Sequence, residues 1–234
     1  MTRILRSLGL ALVAMTAFGA VMASGASAQV IQATTFNTNS NLHEAGSVSV
    51  TTEETSLLRI VAGGVPVTCE TETYSGTLTG TDQHPKVKPA YSGCHSIIGG
   101  ATSSATINTN GCEIEFTAST EVSADQYTGT AAIVNCSKES PSITITTATG
   151  CVVHIDQAGN TAINGVSVEN NTATKPTDIK ISIAATNVHS EVTGGLLSCG
   201  TSSGVKTNGT LTGKLTVKAT NAAKEQCDLT VMKP

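Results

Sequence analysis

The chain has 234 residues and a net charge of −4, and only 13% of its residues are charged. That is about half the usual share; it excludes a coiled coil and a highly charged disordered chain, and it leaves none of the Lys/Arg clustering that displaces phosphate counterions in a nucleic-acid-binding surface. With 38 Thr, 23 Ser and no Trp, the composition favours β-strands with hydroxyl-bearing faces, because Thr is β-branched and fits a pleated, half-buried surface.

The N-terminus reads as an export signal. Arg3 and Arg6 precede an apolar stretch over residues 8–22, and Ala26-Ser27-Ala28 is a small-residue cleavage site. The expectation is a signal peptide over residues 1–28, cut before Gln29. The apolar stretch is shorter than the roughly 20 residues of a membrane span. The mature chain is therefore expected to be secreted, extracellular or periplasmic, with no membrane span. Cleavage leaves Arg59 as the only arginine, so neither nucleic acid nor an anionic membrane is an expected partner.

Residues 29–45 read as a flexible leader or edge strand. Residues 46–234 read as a single all-β domain, with a sub-boundary near 85–92 as the alternative. Alternating or apolar runs recur at 47–51, 56–62, 65–69, 74–79, 101–108, 112–118, 130–136, 142–147, 151–155, 161–169, 178–187, 210–220 and 227–232, while 81–90 reads as a polar loop. Gly63-Gly64, Asn110-Gly111, Gly159-Asn160, Asn164-Gly165 and Asn208-Gly209 supply turn chemistry between runs. Short strands with regular turn signals predict an antiparallel β-sandwich of the Greek-key kind.

All seven cysteines lie beyond the cleavage site: Cys69, Cys94, Cys112, Cys136, Cys151, Cys199 and Cys227. In an oxidising compartment they read as a disulfide framework. Cys94–Cys112 and Cys136–Cys151 each flank one strand-turn-strand unit. Cys69–Cys199 is then the long-range pair, which leaves Cys227 as the free or intermolecular thiol. No C-x-x-C occurs, so a zinc ribbon or a thioredoxin-type centre has no support.

Motifs that carry chemistry are sparse. Gly200-Thr201-Ser202-Ser203-Gly204 fits G-x-S-x-G, but no helix is predicted after it to form a nucleophile elbow. Glu113 with Glu115, and Glu70 with Glu72, share a strand face by their spacing of two; glycosidases use paired carboxylates, but exposed same-face pairs more simply mark a solvated face. Among His43, His84, His95, His154 and His189 none forms a metal-ligating spacing such as H-E-x-x-H. Asp82/His84 and His154/Asp156 are the nearest His/Asp pairs. No catalytic residue, metal or cofactor is assigned. Sugar platforms use exposed aromatic rings, which makes Tyr74, Tyr91 and Tyr127 the glycan-contact candidates.

Tyr91-Ser92-Gly93-Cys94, Asn110-Gly111-Cys112-Glu113-Ile114-Glu115-Phe116, Ile133-Val134-Asn135-Cys136, Cys151-Val152-Val153-His154-Ile155, Cys199-Gly200 and Asn208-Gly209-Thr210 together resemble uncharacterised secreted, cysteine-containing all-β proteins of actinobacteria, over roughly residues 60–220. The resemblance implies export and an all-β fold, brings no site residues, and does not include Cys227. The expected function is a secreted, non-catalytic structural or binding module of the extracellular space or cell envelope. Its expected partner is cell-wall or extracellular polysaccharide, or a second copy of itself. The alternatives are a secreted hydrolase on a β scaffold and a self-assembling surface protein.

Overall fold

Alternation of buried and exposed side chains resolves into strands along most of the described residues. The computed structural model describes residues 30–35, 47–79, 81–172, 178–221 and 223–232; the expected signal peptide, and His43, lie outside the described residues. In chain order the strands are β1 (Val30–Thr35), β2 (Ser47–Ala62), β3 (Val65–Thr68), β4 (Thr71–Thr79), β5 (Thr81–Asp82), β6 (Lys86–Ser92), β7 (His95–Ile98) and β8 (Ala101–Asn108). They continue with β9 (Glu113–Ser123), β10 (Gln126–Val134), β11 (Ser142–Thr147), β12 (Val152–Asp156), β13 (Ile163–Asn170) and β14 (Asp178–Thr193). A four-residue helix, α1 (Leu196–Cys199), precedes β15 (Gly204–Thr220) and β16 (Gln226–Met232).

The all-β expectation holds, but the sheet closes into a barrel rather than two sandwich layers. The antiparallel ladder runs β2-β4-β6-β9-β10-β13-β14-β15 and returns to β2, an eight-stranded barrel. A second circuit, β2-β3-β7-β8-β11-β12-β14-β15, closes through the β12–β14 pairing. The two circuits share β2, β14 and β15. These have 16, 16 and 17 residues, about 50 Å at the usual rise per residue, so each is long enough to serve both. Residues 85–92 fall in and around β6.

The expectation of short strands fails at the long ones, for an identifiable reason. Asn208-Gly209 and Asn164-Gly165 are not hairpin turns; they lie inside β15 and β13. Gly165 adopts φ +91°, and a β-carbon there would collide with the Ala184 carbonyl. A β-carbon at Gly209 would likewise crowd the Val188 carbonyl. In β14 the alternation slips at Thr186 and Asn187, both exposed, where Asn187 takes φ +61° and the register to β15 shifts. These are bulges, which bend a strand without ending it. Residues 81–90 also hold strand on both sides of a bend at 83–85, rather than one loop. Pro89 sits within β6 opposite Tyr74, but the β6 ladder to β9 stops at Val87, so on that side Pro89 has no hydrogen bond to forfeit.

The chain crosses between the two circuits five times, and the crossings are fastened. Cys69 opens the β3–β4 crossing and Cys94 closes the β6–β7 crossing, and they are bonded to each other. Cys112 and Cys136 likewise join the β8–β9 and β10–β11 crossings. The third bridge, Cys151–Cys199, ties the β11–β12 turn to α1. These pairs replace the expected Cys94–Cys112, Cys136–Cys151 and Cys69–Cys199. Strand register is the cause: Thr68 pairs with His95, which sets Cys69 beside Cys94, and Glu113 pairs with Val134, which brings Cys112 to Cys136. Cys227 is fully buried, with its Sγ 3.8 Å from the Glu225 carbonyl, so an intermolecular bridge through it would require β16 to open.

The fifth crossing, β12–β13, carries an asparagine in place of a bridge. Asn160 is buried; its Oδ1 accepts from the His189 N–H at 3.0 Å and its Nδ2 donates to the His189 carbonyl at 2.9 Å. Asn170 grips Val231 of β16 in the same two-armed way, at 2.7 and 2.8 Å. That grip holds β16 so that Leu229 joins Phe116, Ile179, Ile181 and Leu215 in the barrel interior. The interior is packed with aliphatic side chains. Its cavities, lined almost wholly by apolar residues, measure about 30 and 50 Å³, room for a water or two rather than a ligand.

Candidate functional site

The main polar concavity described lies on the outside of the barrel. Strands β4, β6 and β9 run side by side, and each turns its apolar residues inward: Tyr74 and Leu78, Val87, and Phe116. The intervening positions face solvent. Ser75 and Thr77 of β4, Lys86 and Lys88 of β6, and Glu113 of β9 thus form one polar wall. Asp82 and His84, on β5 and the bend after it, close the groove at one side, and its volume is about 510 Å³, within the range of ligand sites. Gly76 forms part of its floor, where a β-carbon would collide with the Lys86 carbonyl.

Ion pairs and hydrogen bonds order this wall. Lys86 Nζ lies 3.3 Å from Glu115 Oε2, and Lys88 Nζ lies 3.7 Å from Glu113 Oε1. Asn135 Nδ2 donates to the second Glu113 oxygen. His84 Nδ1 meets Thr117 Oγ1 at 3.0 Å, while the Asp82 carboxylate accepts from the His84 backbone N–H at 2.9 Å. Asp82 therefore shapes the bend rather than orienting the imidazole. Glu113 and Glu115 do share a face, as their spacing implies. Each is matched to its own lysine, so the two carboxylates are held in separate ion pairs.

The other sequence candidates fall elsewhere. Glu70 and Glu72 do not share a face: Glu70 is exposed and Glu72 is buried opposite Tyr91. Ser202 accepts from Lys206 Nζ at 2.9 Å in the loop before β15. The helical turn comes before its glycines instead of after them, so the nucleophile elbow is absent. His154 Nδ1 lies 3.3 Å from Ser142 Oγ and from Thr144 Oγ1, and Asp156 accepts from the Gly159 N–H, so each is engaged separately.

The tyrosines do not form a sugar platform. Tyr74 and Tyr127 are buried, and Tyr91 packs edge-on against Tyr74 with ring centroids 6.4 Å apart and planes at 79°. Burial, and then the Glu72 carboxylate, push the Tyr91 phenol well above its ordinary pKa. Burial, followed by Glu121 and Asp125, raises Tyr127. Rings held this way contribute to the core, and a flat apolar face is not offered to a ligand.

Sequence reasoning missed Ser75, Thr77, Lys86 and Lys88. The signal was present in Lys86-Val87-Lys88, a polar-apolar-polar triplet that strand periodicity turns into an outward pair of cations. The nearby prolines disguised it as a loop.

No protein-family model, curated protein or solved structure matches the chain.

Proposed function

We propose that this protein is an exported, non-catalytic binding module that holds a hydrophilic polymer, a polysaccharide of the cell exterior, in the groove formed by β4, β6 and β9. The observation that carries this reading is a contrast of volumes: the interior cavities are apolar and about 30 and 50 Å³, whereas the outer groove is polar and about 510 Å³. Hydroxyls from Ser75 and Thr77, ammonium groups from Lys86 and Lys88, and the Asp82 and Glu113 carboxylates offer donors and acceptors for a hydroxylated chain without aromatic stacking. Among the described strands, closure of the ladder leaves few edges, chiefly the short β5 beside β1, which disfavours growth by edge pairing. Disulfides suit an oxidising exterior, and among the described residues no helix is long and apolar enough to cross a membrane.

The test is co-sedimentation of the oxidised protein with insoluble cell-wall and polysaccharide fractions at low and high salt. Saturable binding that survives salt is expected. His84→Ala with Lys88→Ala removes two exposed groove groups and is expected to weaken binding on the order of tenfold, about two lost hydrogen bonds. Wild-type protein that stays in the supernatant with every fraction, or a double variant that binds as tightly as wild type, would overturn the reading.

A further inference from the structure

We infer that the end of the molecule opposite β16 is a membrane-touching tip, which wedges Leu196 and Leu197 into the surface of an uncharged or zwitterionic lipid bilayer. Four connections meet there: Gly63-Gly64 between β2 and β3, Gly99-Gly100 between β7 and β8, residues 148–150 between β11 and β12, and residues 194–203 between β14 and β15. None of these residues is charged.

The longest connection rests on the other three. Thr149 Oγ1 donates to the Ser198 carbonyl at 2.7 Å. A β-carbon on Gly200 would touch Ile98 at 3.4 Å, and one on Gly64 would lie 3.8 Å from Thr201 Oγ1. The Cys151–Cys199 bridge and the Ser203 hydroxyl, which donates to the Gly194 carbonyl, fasten the loop at both ends.

On this fastened platform Leu197 is 99% exposed, Leu196 68% and the nearby Ile97 53%. A mobile loop would fold such leucines back onto the protein; here the backbone is held with both side chains outward. A second copy is a poor occupant. Even with the exposed Val205 beside them, these few aliphatic side chains fall far short of the roughly 800 Å² per partner that a stable interface buries. A bilayer needs no complementary surface, only apolar groups that enter without dragging charge with them. The surrounding Gly, Ser and Thr can meet headgroups through hydroxyls and backbone amides. Lys206 passes the Gly63 turn and its ammonium is bonded to Ser202; its long, flexible side chain can turn that charge back to water as the leucines enter. With so few apolar groups the binding is weak and reversible, no stronger than that of a single acyl chain. It is also insensitive to salt.

The chain contains no Trp, so Leu197→Trp places a unique fluorophore at the tip. Phosphatidylcholine vesicles are expected to shift its emission to the blue at low and high salt alike, and lipids brominated in the acyl chain are expected to quench it. In the otherwise unaltered chain, Leu196→Ser with Leu197→Ser is expected to lower the vesicle-bound fraction on the order of tenfold or more, with an unchanged far-ultraviolet circular dichroism spectrum. Emission that stays unshifted at high lipid concentration would overturn the inference. So would a blue shift produced without lipid by raising the protein concentration, since a second copy would then be covering the tip.

Discussion

Reduction of the three disulfides is expected to unfold this protein at physiological temperature. The bridges span sequence separations of 25, 24 and 48 residues. In the chain-entropy account, loops of those lengths stabilise by about 3.5, 3.5 and 4 kcal/mol. Together that is comparable with the whole stability of an ordinary domain, about 5–15 kcal/mol. The placement of the bridges adds to the effect. Cys69–Cys94 and Cys112–Cys136 join crossings at which the chain passes between the two circuits, so losing them frees the barrel and the second circuit to separate around β2, β14 and β15. Urea titration of the oxidised protein, with and without reductant, checks this. The Cys151→Ser and Cys199→Ser pair, which releases only the tip, is expected to leave a cooperative transition weakened by about 4 kcal/mol. A reduced protein that melts with the midpoint of the oxidised one would show that the core holds the fold alone.

Asn170→Ala is expected to cost about 2–4 kcal/mol, more than most substitutions of a polar side chain. The side-chain amide of Asn170 acts as a short length of strand, accepting from the Val231 N–H at 2.7 Å and donating to its carbonyl at 2.8 Å. Val231 is buried, so truncation leaves both a donor and an acceptor unsatisfied away from water, each costing about 1–3 kcal/mol. Asn170→Asp keeps the acceptor but turns a carboxylate oxygen toward the Val231 carbonyl, and Asn170→Leu restores volume without either bond. Neither is expected to rescue stability. Chemical denaturation reads the loss, and amide hydrogen exchange at Val231 is expected to quicken before that of the β14–β15 ladder. A loss below about 0.5 kcal/mol would mean that β16 is held by burial of Leu229 and Val231 alone.

Much of the architecture was legible from residue pattern. Strand character, the three-bridge framework and the inward Ile and Val of β11 to β14 follow from alternation and from cysteine count. Closure was not legible, because it depends on the length of β2, β14 and β15, and each carries a local feature that imitates an end. Asn208-Gly209 has the composition of a type I′ turn, yet it lies in β15 because the Val188 backbone approaches too closely for a side chain. Cysteine pairing also escaped the sequence. Proximity along the chain favoured Cys94 with Cys112, whereas the register of β3 against β7 selects Cys69. The groove was half visible. Asp82, His84 and Glu113 stood out as titratable groups, but their meeting with Ser75, Thr77 and the two lysines depends on β4, β6 and β9 being neighbours. Tyr74, Tyr91 and Tyr127 were misplaced because composition reports that tyrosine is scarce, not which way each ring turns.

The two-circuit architecture positions both the groove and the tip, and disulfide mapping tests it most directly. Oxidised protein would be digested without reduction and the linked peptides identified by mass spectrometry. The expected links are Cys69–Cys94, Cys112–Cys136 and Cys151–Cys199, with Cys227 recovered as a thiol-bearing peptide once the chain is unfolded. Linked peptides joining Cys94 to Cys112, or Cys136 to Cys151, would contradict the register that closes the second circuit and the placement of every crossing built on it.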